Sequence, residues 1–195
     1  MQLVLGSQSP RRRELLRQLG LDFTVRAADL DESKYETDDP EQTVRATCAA
    51  KARAVAAASE PGELILTSDT IVVLDGRIMG KPHSPAEAEA MLTALSGRTH
   101  RVYTAFTLLP VGGEAQTECA HTEVRFRPLS PAEIRAYVAS GEPMDKAGAY
   151  GIQGLGAVLV EGITGDYFTV MGLPLCRVAL RLRDYGVEVL REDGR

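Results

Sequence analysis

Apolar side chains recur along this chain with two periods, about 2 in some stretches and about 3.6 in others, and the changeovers fall at glycine, proline and acidic residues. Residues 3–5 read as a short buried strand. Residues 10–19 repeat at helical spacing, with Leu15, Leu16 and Leu19 inward and Gly20 as the stop. The chain therefore opens as strand, loop, helix. Residues 23–27 predict a second strand, followed by an acidic stretch with Asp29, Asp31 and Glu32 and a helix over about 40–58 that carries Lys51. Residues 64–67 and 71–74 are strand-like; Asp75-Gly76 turns the chain back, and Gly80-Lys81-Pro82 closes the hairpin. A helix over 85–95 ends at Gly97. Residues 101–109 and 117–127 form a long pair around Gly112-Gly113, with Val124 and Phe126 on one face and Glu123, Arg125 and Arg127 on the other. A helix over 131–139, a glycine-rich tract over 148–156, strands near 157–160 and 167–171, and a closing helix from about Leu175 complete the pattern. Strands interleaved with helices and long hairpins predict an α/β fold with a mixed sheet.

Composition narrows what such a fold can do. A chain of 195 residues, 44% hydrophobic and 25% charged, suits one compact domain with two lobes around a cleft. Its formal charge of -5 gives no broad basic face, so neither nucleic acid nor an anionic membrane is an expected partner. Any anion must meet a local cationic pocket. Cys48, Cys119 and Cys176 are far apart, with no C-x-x-C pair, which argues against a disulfide framework or a thiolate zinc site and for a reducing cytoplasm. The first residues run into Arg11, Arg12 and Arg13 without the order of a secretory signal, and no apolar run reaches the roughly 20 residues of a membrane helix. His83, His100 and His121 lack ligand spacing.

Three predicted helices begin with Ser-Pro, at Ser9-Pro10, Ser84-Pro85 and Ser130-Pro131. A capping hydroxyl before a residue of pre-set φ is a strong helix start. The second and third continue to Glu87 and Glu133, which predicts a capping box at each and complements the positive end of the helix dipole. The first instead carries Arg11, Arg12 and Arg13 where the dipole already presents about half a positive charge. Such a conflict is expected where function overrides stability. Gly6, Ser7, Gln8 and Ser9 supply small side chains, hydroxyls and backbone N–H groups at a strand end, a phosphate cradle without the Walker lysine. Taken alone, the arginines read equally as a solvated helix face.

Asp69 follows the apolar positions 64–66, and a carboxylate emerging from a strand is a common way to hold a divalent cation. An ordinary turn aspartate has the same local sequence. The acidic stretch offers either a second carboxylate to the same cation or a solvated loop. Lys81 is confined between Gly80 and Pro82; Lys51 and Lys146 are further candidate phosphate partners, although surface lysines look alike in sequence. The tract 148–156 lets backbone approach a ligand closely or simply forms tight turns, with Gln153 as its polar centre.

Six stretches in order, Leu5-Gly-Ser-Gln-Ser-Pro-Arg-Arg-Arg-Glu-Leu-Leu16, Ser68-Asp-Thr-Ile-Val72, Gly80-Lys-Pro82, Leu95-Ser-Gly-Arg-Thr-His-Arg-Val-Tyr-Thr104, Asp145-Lys-Ala-Gly-Ala-Tyr-Gly-Ile-Gln-Gly154 and Val170-Met-Gly-Leu-Pro-Leu175, together resemble the Maf family. That resemblance implies the inosine-triphosphatase-like α/β fold, a twisted mixed sheet with long hairpins and flanking helices around a central cleft. It implies hydrolysis between the α and β phosphates of a nucleoside triphosphate with Mg²⁺ or Mn²⁺, and a homodimer. By position, Asp69 is the implied general base and Glu32 the second carboxylate near the metal. Ser7, Ser9, Arg12, Lys51 and the catalytic cation Lys81 are implied to hold the triphosphate. Arg11, Thr70 and Gln153 match the branch acting on dTTP and UTP, whereas the 7-methyl-GTP branch tends to carry an aromatic, a glutamine and a glutamate there. A glutamine amide can donate to a uracil carbonyl and accept from its N3–H, while a carboxylate suits the two donors of a guanine edge. Gly6 and Ser68 stand where the family often has alanine, and are expected to keep the site open. An implied alternative of another class is a nucleotide-responsive regulator of cell division or septum formation.

Overall fold

The computed structural model describes residues 1–190, so the last five positions of the domain expected over 1–195 lie outside the described residues. Seven strands form one mixed sheet: β1 (Gln2–Leu5), β2 (Phe23–Val25), β3 (Glu63–Leu74), β4 (Arg77–Met79), β5 (Thr99–Pro110), β6 (Gln116–Phe126) and β7 (Val160–Thr164), in the order β2-β1-β3-β5-β6-β7 with β4 on β3. β1 runs parallel to both β2 and β3, pairing Leu3 with Phe23 and with Leu64. The β3–β4 and β6–β7 pairs are antiparallel, the second with a bulge at Arg125/Phe126. The helices are α1 (Pro10–Gln18), α2 (Pro40–Ala56), α3 (Pro85–Leu95), α4 (Pro131–Ala139), α5 (Tyr167–Met171) and α6 (Leu175–Leu182). None of the described helices is long and apolar enough to cross a membrane.

The chain divides into two compact units. The first comprises Met1–Asp69, Thr104–Ala120 and the described residues from Gly172 onward. Leu3, Val4 and Leu5 of β1 are all buried, as expected of a strand paired in parallel on both sides. α2 starts where the Asp39 carboxylate accepts from the Glu41 and Gln42 N–H groups, and it buries Val44, Cys48, Ala52 and Val55 at helical spacing. Val4, Ala52, Val55, Ile65 and Leu109 form a core there.

The second unit comprises Thr70–Tyr103 and His121–Met171. Its core gathers Leu92 and Leu95 of α3, Phe126 of β6 and Ile134 of α4. The β3–β4 turn places Asp75 and Gly76 at φ 50° and 78°, the paired left-handed residues that match the twist of a two-residue hairpin. His100 lies edge-on to Phe126 and Tyr150, with Nε2 2.7 Å from the Tyr150 hydroxyl. Burial depresses its pKa to about 4.

Four expectations change. Positions 64–67 and 71–74 are one unbroken strand, β3, because the polar residues at their junction are buried with partners: Thr67 Oγ1 donates to Cys48 O at 2.9 Å and Ser68 Oγ to Ala105 O at 2.8 Å. Residues 154–159 are a 3-10 turn and the strand follows at Val160–Thr164. Residues 167–171 are helical, since the Asp166 carboxylate accepts from both the N–H and the hydroxyl of Thr169 and caps α5. Leu19, expected inward, is half-buried at the C-cap of α1.

Candidate active site

In the first unit, β1 ends in the loop that leads to α1. Gly6 N donates to Leu66 O at 2.8 Å, tying the loop to β3. A Cβ on Gly6 would lie 2.6 Å from Thr67 Cγ2, so the glycine makes room for the Thr67 side chain and does not serve to keep the site open. Ser68 does not serve openness either. It is 1% exposed, and its hydroxyl reaches both Ala105 O and Gly172 O at 2.8 Å.

The three Ser-Pro helix starts behave differently. Ser130 forms a complete capping box with Glu133, accepting from Glu133 N at 3.3 Å while Glu133 Oε2 accepts from Ser130 N at 2.8 Å. Ser84 accepts from Glu87 N at 3.2 Å, but Glu87 Oε2 reaches one residue further back, to His83 N at 2.7 Å, so the expected second box is a single cap. Ser9 makes no side-chain cap, and the first turn of α1 has no acidic residue. Arg12 occupies the position in α1 that Glu87 and Glu133 occupy in α3 and α4. Its guanidinium folds back, Nε donating to Gly172 O at 2.8 Å and Nη1 to Ser7 Oγ at 3.2 Å, while Ser7 Oγ also accepts from Ser9 N at 3.2 Å.

Three charges meet close by. Lys51 Nζ, from α2, stands 2.7 Å from Asp69 Oδ1 and 2.8 Å from Glu32 Oε1. Asp69 is therefore a buried residue inside β3, where the sequence suggested a strand tip. Burial acts to discharge Lys51, but Asp69 and Glu32 outweigh it and raise its pKa. Burial likewise lowers the pKa of Arg12, opposed mainly by the charge of Asp69, which puts Arg12 and Asp69 within electrostatic reach of each other.

Ser7, Ser9, Arg11, Arg12, Glu32, Lys51 and Asp69 thus all belong to the first unit, and direct contacts join Glu32, Lys51 and Asp69 on one side and Ser7, Ser9 and Arg12 on the other. Lys81, Thr70 and Gln153 belong to the second unit. Lys81 is exposed, next to Gly80, whose carbonyl accepts from Gly148 N at 3.0 Å. Gln153 is exposed on the glycine-rich loop. Gly172, at φ 100°, is a participant that the side-chain pattern did not single out, because its contribution is a carbonyl; its only sequence signal is a glycine in Met171-Gly172-Leu173-Pro174.

The residues present suit a hard divalent cation in one particular way. Among the described residues no group of three or more His, Cys, Asp or Glu side chains could hold a metal. Two carboxylates, Asp69 and Glu32, converge on one positive charge. That donor set fits an ion that takes one or two carboxylates and fills its remaining positions with water and substrate phosphate, as Mg²⁺ does.

A family model described as Maf-like protein matches residues 2–185. The chain is 57% identical over 189 residues to the dTTP/UTP pyrophosphatase of Moorella thermoacetica, covering 96% of each protein. It is 50% identical over 188 residues to the dTTP/UTP pyrophosphatase of Symbiobacterium thermophilum, again with 96% of each covered. Among solved structures, a HAM1 protein from Coxiella burnetii matches 94% of this chain and 99% of its own at a TM-score of 0.50 and 18% identity, a likeness of fold alone.

Proposed function

The chain belongs to the Maf-like family, and from that premise we propose that it is a nucleoside triphosphate pyrophosphatase that cuts dTTP and UTP to the monophosphate and pyrophosphate. The observation that supports this best is the meeting of Asp69, Glu32 and Lys51 within electrostatic reach of Arg12 at an uncapped helix start. Carboxylates and cations so arranged can deprotonate water and neutralise a triphosphate in one place.

Asp69 takes a proton from the water that attacks the α phosphorus, and the bond from that phosphorus to the α–β bridging oxygen breaks as pyrophosphate leaves. Negative charge gathers on the non-bridging oxygens in the transition state. Arg12 and Lys51 lie ready to stabilise it, as fixed donors in a partly dry site beside the start of α1. The triphosphate offers Lys51 a third anion beside Asp69 and Glu32, which loosens its hold on Asp69 and frees that carboxylate to act as base. Asp69 and Glu32 would hold Mg²⁺ or Mn²⁺, which would supply charge neutralisation on the phosphates. Ser7 and Ser9 complete the phosphate contacts, Lys81 adds a further cation, and Arg11, Thr70 and Gln153 select the pyrimidine. The three free cysteines, Cys48, Cys119 and Cys176, suit a reducing cytoplasm.

Asp69→Asn tests the assignment. Pyrophosphate release from UTP and dTTP is expected to fall at least about 10³-fold, with circular dichroism unchanged. Retained turnover removes Asp69 from the chemistry, and orthophosphate as the product removes the reaction class.

A further inference from the structure

The end of the glycine-rich tract closes over an anion that the protein itself supplies. Glu142, just after α4, turns its carboxylate under the tract: Oε2 accepts from Leu155 N at 2.9 Å, and Oε1 accepts from Gly156 N at 3.0 Å and from the Tyr137 hydroxyl at 2.9 Å. The Tyr137 oxygen in turn accepts from Gly151 N at 3.2 Å. A Cβ on Gly154, which sits at φ +64°, would lie 2.6 Å from Glu142 Oε2. One on Gly156 would lie 2.1 Å from Gly151 O and 2.7 Å from the Tyr137 oxygen. Close approach is what these two glycines provide, to Glu142 at Gly154 and to the Gly151 carbonyl and the Tyr137 hydroxyl at Gly156.

Burial disfavours the Glu142 carboxylate, but the Leu155 and Gly156 N–H groups and the Tyr137 hydroxyl outweigh that and hold its pKa below the ordinary value. Lys146 Nζ reinforces the same turn through Glu142 O at 2.5 Å. The loop is therefore fixed at residue 151 on one side and at 155 and 156 on the other. Gln153 lies between the anchors, exposed.

We propose that Glu142 and Tyr137 are positioning residues for base selection: by clamping residues 151–156 they set where the Gln153 amide stands against the edge of a uracil or thymine. This rests on the pyrimidine triphosphate reading above. Uracil presents a carbonyl acceptor beside an N3–H donor, and cytosine presents the reverse, so an amide on a loose loop can flip or shift to satisfy either. One on a clamped loop discriminates because the wrong base leaves a polar group unpaired.

The experiment measures kcat and KM for UTP and CTP on the wild type, Tyr137→Phe, Glu142→Gln, Gln153→Ala and the Tyr137→Phe/Gln153→Ala double variant. The wild type is expected to favour UTP and Gln153→Ala to lose that preference. Tyr137→Phe and Glu142→Gln are each expected to lower the UTP-over-CTP ratio of kcat/KM about five- to tenfold, through KM for UTP, with kcat little changed. Amide exchange at Gly151, Leu155 and Gly156 is expected to quicken in both. Once Gln153 is alanine, Tyr137→Phe is expected to change the ratio no further. Should Glu142→Gln fail to fold, Tyr137→Phe keeps the ring and carries the test alone. A wild-type ratio in Tyr137→Phe while Gln153→Ala has lost it overturns the clamp and leaves the function standing, as does an equal loss on both substrates or full additivity in the double variant. An indifferent Gln153→Ala overturns the clamp together with the role of Gln153. A wild type that releases pyrophosphate from neither nucleotide sinks the underlying reading.

Discussion

The starts of α1 and α4 share a Ser-Pro dipeptide and diverge from the next residue on. In α4, Glu133 closes a capping box on Ser130 and also takes a hydrogen bond from Arg127 Nη2 at 2.7 Å, so the free N–H groups and the dipole are answered from within. In α1 the equivalent position is Arg12, Ser9 caps nothing with its side chain, and the hydroxyl of Ser7 supports a cation. One start is closed by its own acidic residue, and the other is, on the function proposed above, where the triphosphate binds. Local rules of helix design therefore mark function by their breach, most clearly where the same protein obeys them elsewhere.

Making α1 resemble α4 is the strongest way to break this contrast. Arg12→Gln restores a residue able to close a capping box, and pyrophosphate release is expected to fall about 10²- to 10³-fold while unfolding free energy stays within about 1 kcal/mol of the wild type. An active Arg12→Gln enzyme would remove the functional half of the comparison. The converse change, Ser130→Ala, is expected to cost about 1 kcal/mol and lower the melting temperature by roughly 2–4 °C, with kcat and KM for UTP unaltered. The smallest effect is in pH. Arg127 first, then the Ser130 N–H, hold the Glu133 carboxyl at about 2, below the ordinary 4.5. Its folded value is depressed, so its contribution is complete above 4.5 and lost as pH falls from there through about 2. The melting-temperature gap between the wild type and Glu133→Gln, measured by calorimetry, is expected to be widest near neutrality and to close across that interval.

What the sequence disclosed, and what it hid, follows the same division between local and distant causes. The boundaries of α3 and α4 and the Asp75-Gly76 hairpin are written in adjacent residues, through caps and turn chemistry, and all were legible. The continuity of β3 was not, because Thr67, Ser68 and Asp69 look like a polar interruption until Cys48 O, Ala105 O, Gly172 O and Lys51 are brought to them from far along the chain. The same holds for α5. Its β-branched and aromatic residues suggested a strand, and one carboxylate from Asp166 decided otherwise. At the site, the charged residues Asp69, Arg12, Lys51 and Glu32 stood as candidates by type, and the resemblance to the Maf family singled them out. The carbonyl of Gly172 and the anchoring of the glycine-rich loop by Glu142 could not, since a carbonyl has no letter of its own and a glycine does not say what it makes room for.

The bond from Arg12 to Gly172 spans 160 positions. On the ribosome, residue 12 emerges long before its acceptor is made, so the guanidinium gains this anchor only after nearly nine-tenths of the polypeptide has been translated. Premature termination anywhere ahead of codon 172 leaves a product whose Arg12 has lost that seat, however well the preceding segments have folded.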